Sequence, residues 1–466
     1  MSSQLGSRRR RMFSDGRHRI QRCTNLAVLS RNHAMEMIAT KDKNTLDCNS
    51  EEPPMLKTYK RRRVRRDPSI PDELVYEILL RLPVKTLVRS KCVCKAWQAT
   101  ISKPSFICAH LKQQQSATCR HVQKPSFLIT PHTLDSIIDD EVWPSTFSNS
   151  IPFYHWQEGQ DNACLVHAMD FHGEFRSVYR MSHCDGLVML PTNTKLYVFN
   201  PATCDFLKLP DGQKDHLGIQ TAGLGLDLGT NTYKVVRSFY RSVDFRRRTY
   251  DVGIEVFAIG GHDSCWRRVV EDPPYPVSIQ DPIYFKGSMY WHICKKLIRN
   301  PPQGFICFSL QDETFSLIRH TISSSDDEGI RLHFVELGGE LCVAQYLATQ
   351  IVVWKSSMSS DSHQWDRLYS ISNLTNEAWK FQPFLDLVDD FMLLGPSNCI
   401  YLYNKASRST KELVFVDQLK YTNPKVGKLD FVRKDFYFFN IVPYIESLVP
   451  LRAPMEQRES GRVVED

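Results

Sequence analysis

The chain of 466 residues contains no apolar run approaching the eighteen or more residues that a membrane-crossing helix needs. Its 14 cysteines form neither a Cys-x-x-Cys pair nor a regular spacing, so they are expected to be free thiols in a reducing compartment, mostly small buried hydrophobes. The first thirty residues are arginine-rich and lack an apolar core, so no secretory signal peptide is expected. Catalytic signatures are missing too. There is no Gly-x-Ser-x-Gly elbow, no His-Glu-x-x-His and no P-loop. Gly223-x-Gly225-x-x-Leu228 lacks the third glycine of a dinucleotide fingerprint and runs into a strand pattern rather than a helix. His183-Cys184 and His292-x-Cys294 have no third ligand at metal spacing and read as core residues beside turns. Asp139-Asp140-Glu141 and Asp326-Asp327-Glu328 lack the alternating oxygen ligands and central glycine of a calcium loop, and read as solvated loops. No catalytic residue, metal or cofactor is therefore expected, and no membrane partner.

The whole-chain charge of +7 is unevenly placed. Residues 1–66 hold 17 Lys+Arg against 6 Asp+Glu, about +11, so the remainder is about −4. That leaves the rest of the chain without a global bias toward nucleic acid. Residues 1–66 are polar and aperiodic, as are residues 453–466, and both are expected to be disordered tails. The cluster Lys60, Arg61, Arg62, Arg63, Arg65 and Arg66 is a nuclear localisation candidate; its other reading is a solvated basic linker. The expected location is nucleus, cytoplasm or both.

Residues 67–112 carry more apolar surface than so short a module can bury alone. Pro71 suits a helix start, and Asp72 and Glu73 place negative charge at the positive end of the helix dipole. Leu74, Ile78 and Leu82 form one stripe to about Arg81, with Val75 and Leu79 beside it. Pro83 opens a second helix, about Val84 to Ser90. Cys92 to Ile101 reads as a third, with Val93, Trp97 and Ile101 at spacing four, ended by Lys103-Pro104. Domains near this size usually need metal, disulfides or association. An unburied apolar stripe here points to a helix-packing partner, or to a cap folded onto the rest of the chain.

This segment resembles the F-box of plant F-box proteins in Ile70-Pro71, in Ile78-Leu79-Leu80-Arg81-Leu82-Pro83-Val84-Lys85 and in Val93-Cys94-Lys95-Ala96-Trp97, with Ile70 where the family usually has leucine. The resemblance implies binding to the Skp-type adaptor of a cullin–RING ubiquitin ligase. It carries ten positions over to that contact: Ile70, Pro71, Leu74, Ile78, Leu82, Pro83, Leu87, Val93, Cys94 and Trp97. Sequence does not separate those that face the adaptor from those that hold the helices together.

Beyond Lys112-Gln113-Gln114-Gln115-Ser116, which reads as a hinge, helix-period stripes give way to short β-branched and aromatic runs between Gly, Pro, Asn and Asp. Examples are Gly186 to Leu190, Leu196 to Phe199, Tyr233 to Val236 and Ile351 to Trp354. A glycine followed by a short strand recurs at intervals of about 40 to 60 residues, the mark of a β-propeller, here with about six blades. Its tryptophans are expected to fill space between blades. Residues 120–452 resemble the F-box-associated, kelch-like propeller domain of plant F-box proteins in Cys184-Asp185-Gly186-Leu187, Phe199-Asn200-Pro201-Ala202-Thr203, Leu224 to Asp227 with Tyr233 to Val236, Gly287 to Trp291, and Tyr444-Ile445-Glu446-Ser447-Leu448. A circular fold must pair its ends, and the strand near Ser126 to Ile129 is expected to join residues near Tyr444 to Val449. The longer candidate client loops are Glu158 to Glu174, Tyr240 to Tyr250 and Ser323 to Gly329. Arg241, Arg246, Arg247 and Arg248 make the second basic, which suits either a solvated hairpin tip or a dock for an acidic or phosphorylated client.

The expected fold is thus a small three-helix F-box followed by an all-β propeller. The resemblance implies a non-catalytic substrate receptor of a Skp–cullin–F-box ubiquitin ligase, reaching a cullin and a RING subunit through the adaptor and holding an unknown protein client. Two alternatives stand beside it: a non-degradative interaction scaffold, and a propeller with a catalytic centre at its axis.

Overall fold

The computed structural model describes residues 70–452 apart from 117–123, 137–145, 173, 176, 219–220, 262–264, 323–330, 348, 360–361, 373–381, 388, 396–397, 423–428 and 431–435. The basic cluster Lys60 to Arg66, both acidic clusters and the loop Ser323 to Gly329 lie outside or largely outside the described residues.

Four helices come first: α1 (Asp72–Leu80), α2 (Val84–Ser90), α3 (Lys95–Ser102) and α4 (Pro104–Gln115). Pro71 and Pro83 hold the N-cap positions of α1 and α2, where a missing N–H costs nothing. Cys94 caps α3, its Sγ accepting from the Trp97 N–H at 3.4 Å, so this helix starts later than the pattern from Cys92 suggests. Pro104 does not end the module. It is the first residue of α4, a fourth helix that the sequence reading missed. The expected hinge at Lys112 to Ser116 is in fact the last turn of α4. Leu79, Val84, Leu87, Ile101 and Phe106 are fully buried in the core between these helices.

The remaining chain forms six blades around an axis. Five are four-stranded antiparallel meanders. Blade 1 is Ser182–Cys184, Leu187–Pro191, Leu196–Asn200 and Asp205–Lys208. Blade 2 is Thr221–Asp227, Thr232–Asp244, Thr249–Ala258 and Arg267–Arg268. Blade 3 is Ile283–Phe285, Ser288–His292, Gly304–Ser309 and Phe315–Arg319. Blade 4 is Arg331–Leu337, Glu340–Tyr346, Ile351–Ser359 and Ser362–Ile371. Blade 5 is Gln382–Asp386, Asp390–Leu394, Cys399–Asn404 and Ser409–Phe415. The first strands of neighbouring blades touch, so each is its blade's inner strand. Apolar side chains fill the space between blades. Leu187–Pro191 and Leu196–Asn200 are buried along their whole length because both faces are covered, which is why they read as unbroken apolar runs. Trp156, Trp291 and Trp365 are buried among these contacts.

Blade 6 closes the ring with chain from both ends of the propeller. Phe436–Pro443 is its inner strand and pairs antiparallel with Ser126–Ser136, from Phe127 opposite Pro443 to Thr133 opposite Phe436; Ser150–Gln157 and Asn162–Asp170 follow outward. The closing strand therefore lies just upstream of the expected Tyr444 to Val449. The joint is pinned by buried Asn440. Its Oδ1 accepts from the Met181 N–H at 3.0 Å, and its Nδ2 donates to the Tyr179 carbonyl at 3.0 Å and to His132 Nε2 at 3.1 Å.

Two expected loops are strands instead. Asn162–Asp170 occupies most of Glu158 to Glu174, and its polar side chains reflect its place at the outer side of a blade. Tyr240 to Tyr250 is mostly hairpin, with Asp244 opposite Thr249 the last pair before the tip.

Candidate adaptor-binding face and its seat on the propeller

The ten residues carried over for the adaptor contact separate into an outer and an inner set. Leu74 and Ile78 lie one turn apart on α1, Ile70 lies just before its cap, and with Val93 all four are 51–64% exposed. Four large apolar side chains so exposed on one short module are unusual in a soluble surface. Pro71, Pro83 and Cys94 are exposed as well. Leu82 and Trp97 are half-buried and pack against the helical core. Leu87 is fully buried in that core and offers no surface, so its part is to hold the helices together. The salt bridge Glu77–Arg81, at 3.0 Å and one turn apart, lies on exposed side chains of α1 and contributes little to stability.

The inner side of the module is covered by the propeller. Ala202 of blade 1 and Leu448 of the segment after the closing strand belong to the same core as Leu79, Val84 and Phe106. Lys85 reaches Glu446 at 3.8 Å. Ile107 of α4 packs on the core shared by Leu209, Val449 and Leu451. Gln115, in the last turn of α4, donates to Asp185 Oδ1 at 2.7 Å, and the Tyr233 hydroxyl donates to Asp185 Oδ2 at 3.0 Å. Buried His110 bonds the Leu82 carbonyl at 2.9 Å and so ties α4 to the corner before Pro83.

Three short motifs converge at this seat. Asn200 is fully buried, and its Nδ2 donates to the carbonyls of Ser447 at 3.0 Å and Val449 at 2.9 Å. Its Oδ1 accepts from the Ala202 N–H at 3.0 Å, which shapes the Asn200-Pro201 turn. Gly186 has φ +83°, and a Cβ there would stand 2.4 Å from the Ile445 carbonyl oxygen and 2.5 Å from Ser447 Cβ. Glycine is needed twice over at this position, for its left-handed backbone and for the passing chain. The sequence showed Asp185-Gly186, Asn200-Pro201 and Tyr444 to Leu448 as separate marks. It gave no sign that they meet, and it missed Gln115 and Leu448 as parts that join helices to propeller.

A basic-acidic cluster lies between blades 1 and 2. Arg237 and Glu255 are both buried and paired; Arg237 also donates to the Gln213 carbonyl at 2.9 Å, and Glu255 accepts from the Gln213 N–H at 3.0 Å. Every charge there has a partner, as a structural ion pair requires.

Comparison with known proteins agrees with this anatomy. The model of the F-box associated beta propeller domain matches residues 165–451, and the F-box domain matches residues 68–108. An F-box protein of Arabidopsis thaliana is 27% identical over 340 residues, covering 66% of this chain and 70% of that one. An F-box/LRR-repeat/kelch-repeat protein of the same plant is 29% identical over 330 residues, covering 67% and 79%. Another of its F-box proteins is 25% identical over 431 residues, covering 82% and 99%. An F-box joined to such a propeller implies, in general terms, an adaptor-binding, substrate-recognition role in Skp–cullin–F-box complexes, in a family whose members are typically non-catalytic. With its propeller model spanning more than half the sequence and an F-box ahead of it, the chain belongs to the F-box proteins that carry an F-box-associated β-propeller.

Proposed function

We propose that this chain is the substrate receptor of a Skp–cullin–F-box ubiquitin ligase, in which Ile70, Leu74, Ile78 and Val93 dock on the Skp-type adaptor and the propeller holds a protein client. One observation carries the reading. The helical module spends its inner apolar surface on the propeller and leaves an apolar row bare on the other side. These side chains are a little over half exposed, so burying what remains of the four contributes roughly 3–7 kcal/mol in total, comparable with the lower estimates of the cost of association, and the polar contacts around them must supply the rest. The chain contributes geometry and no catalytic group. Because α4, Asp185 and Leu448 tie the helices to blade 1, the client and the adaptor are held at a fixed relation, which raises the effective concentration of a client lysine at the transfer site.

The test is co-expression with a Skp-type adaptor, followed by co-purification, with the wild-type chain beside Leu74→Asp/Ile78→Asp. Both side chains are exposed, so the variant should fold and lose the adaptor. A soluble wild-type chain that fails to bring the adaptor down would sink the proposal. Rising levels of a bound client on loss of the chain separate a degradative receptor from a non-degradative scaffold.

A further inference from the structure

The meander fixes which end of each blade faces the helices. Counting strands outward from the axis, the first–second and third–fourth turns of blades 1 to 5 lie on one face, and their second–third turns and the connections between blades lie on the other. Asp185-Gly186 is the first–second turn of blade 1, and Pro201 to Cys204 is its third–fourth turn; both belong to the seat of the helical module. The helices therefore occupy the first of these faces.

The opposite face is dominated by the hairpin of blade 2. Its strands Thr232–Asp244 and Thr249–Ala258 have 13 and 10 residues, against 5 and 6 for the equivalent strands of blade 3. Full burial on the first of these strands stops at Tyr240; Val243 and Tyr250 still pack on the edge of the core, and the turn from Phe245 to Thr249 is exposed. At the tip, Phe245 is exposed and is followed by three exposed arginines. Arg247 has Asp244 at 3.7 Å, whereas neither Arg246 nor Arg248 has an acidic partner among the described residues. Lower on the hairpin, Arg241 is already spoken for by Asp251 and Asp272. The connection from blade 2 to blade 3 adds Val270 and Ile279 to the same face. With Phe245 they make three of the five large apolar residues that stand exposed outside the helical module among the described residues.

We infer that this chain grips its client at the blade 2 hairpin tip, on the face opposite the adaptor-binding module, and that the client segment is an acidic peptide carrying an apolar side chain. Arg246 and Arg248 take the carboxylates, or phosphates where the segment is phosphorylated, and Phe245 takes the apolar group. The acidic side chains of Asp244, Asp251 and Asp272 around the hairpin disfavour the long phosphate backbone of a nucleic acid, whereas a short peptide can present its charges at the tip alone. This deepens the receptor reading and rests on it.

The test selects binders from a random dodecapeptide display library on the full chain, and assays adaptor co-purification separately on the same preparation. Enriched peptides should carry more Asp and Glu than Lys and Arg, together with an aromatic or branched aliphatic residue. Their affinity should fall about tenfold or more in Arg246→Glu/Arg248→Glu and in Phe245→Ser, as expected when central interface contacts are lost. It should stay unchanged in Leu228→Ser, which alters an exposed apolar residue in the first–second turn of blade 2, on the face that carries the helices. Neutral or basic winners, no enrichment, or full binding by the arginine variant would each overturn the inference. So would tight binding of a short single-stranded RNA that the arginine variant loses. Peptide selection without adaptor binding would instead overturn the receptor reading and leave the acidic-peptide surface standing.

Discussion

Replacing Asn200 by alanine tests whether the segment after the closing strand is the joint between helices and propeller. Asn200 is fully buried and makes three strong hydrogen bonds, to the carbonyls of Ser447 and Val449 and from the N–H of Ala202. Alanine would take away the partner of two carbonyls and of the Ala202 N–H, together with the longer bond from the Thr203 N–H at 3.4 Å. Each orphaned group costs about 1–3 kcal/mol, so the variant should lose at least about 3 kcal/mol. Asn200→Asp sharpens the test. It keeps an acceptor for Ala202 but turns a carboxylate oxygen toward the two carbonyls, so at neutral pH it should be at least as unstable as alanine. Urea unfolding followed by tryptophan fluorescence gives the stability, and limited proteolysis shows whether cleavage moves to residues 444–452. An alanine variant within about 1 kcal/mol of wild type, or an aspartate variant more stable than the alanine one, would refute the assignment.

Gly186→Ala should destabilise by about 2 kcal/mol or more, from the left-handed backbone and the collision with Ile445 and Ser447, and should open the same protease site; Leu74→Asp should leave proteolysis unchanged. His132 is held down to about 3 by burial, against an ordinary 6.5, so the unfolded chain binds the extra proton between those values. Its contribution is intact above about pH 6.5 and is lost as pH falls toward 3. Because His183, His292 and His320 are also held low across the same window, His132→Gln, which keeps an acceptor for Asn440, should make that acid limb shallower by about a quarter in melting curves recorded from pH 7 to pH 5. Alanine at Arg61, Arg62 and Arg63 is expected to move a fluorescent fusion out of the nucleus, and an unchanged distribution would dispose of the localisation signal.

Both resemblances were legible because they rest on side chains whose spacing is dictated locally. Leu74, Ile78 and Leu82 repeat at helical period, and Gly186 to Leu190 or Ile351 to Trp354 are runs that only a strand covered on both faces requires. The recurrence of glycine and strand pointed to about six blades, and the six-sheet topology fixes the number. What stayed hidden was set by contacts distant in sequence. The three glutamines ending α4 look like a hinge by composition, yet Gln115 is ordered by Asp185, 70 residues on. Tyr240 to Tyr250 look like a loop throughout, yet strand pairing runs up to Asp244 and Thr249 and only residues 245–248 form the turn. Leu82, Leu87 and Trp97 share the apolar character of Leu74 and Ile78, and only burial tells them apart. The same limit holds for Leu448, whose neighbours in the helical core lie more than three hundred residues earlier.

Ring closure also sets an order of assembly. The strand Ser126–Ser136 is made early in synthesis, but its inner partner Phe436–Pro443 emerges only near the end, and Leu448 follows it. Until then blade 6 has an open inner edge and the helical core lacks part of its floor. A nascent or prematurely terminated chain that stops before residue 436 thus displays a bare strand edge and an unseated module together. Closing the ring and seating the helices both wait on residues 436–448.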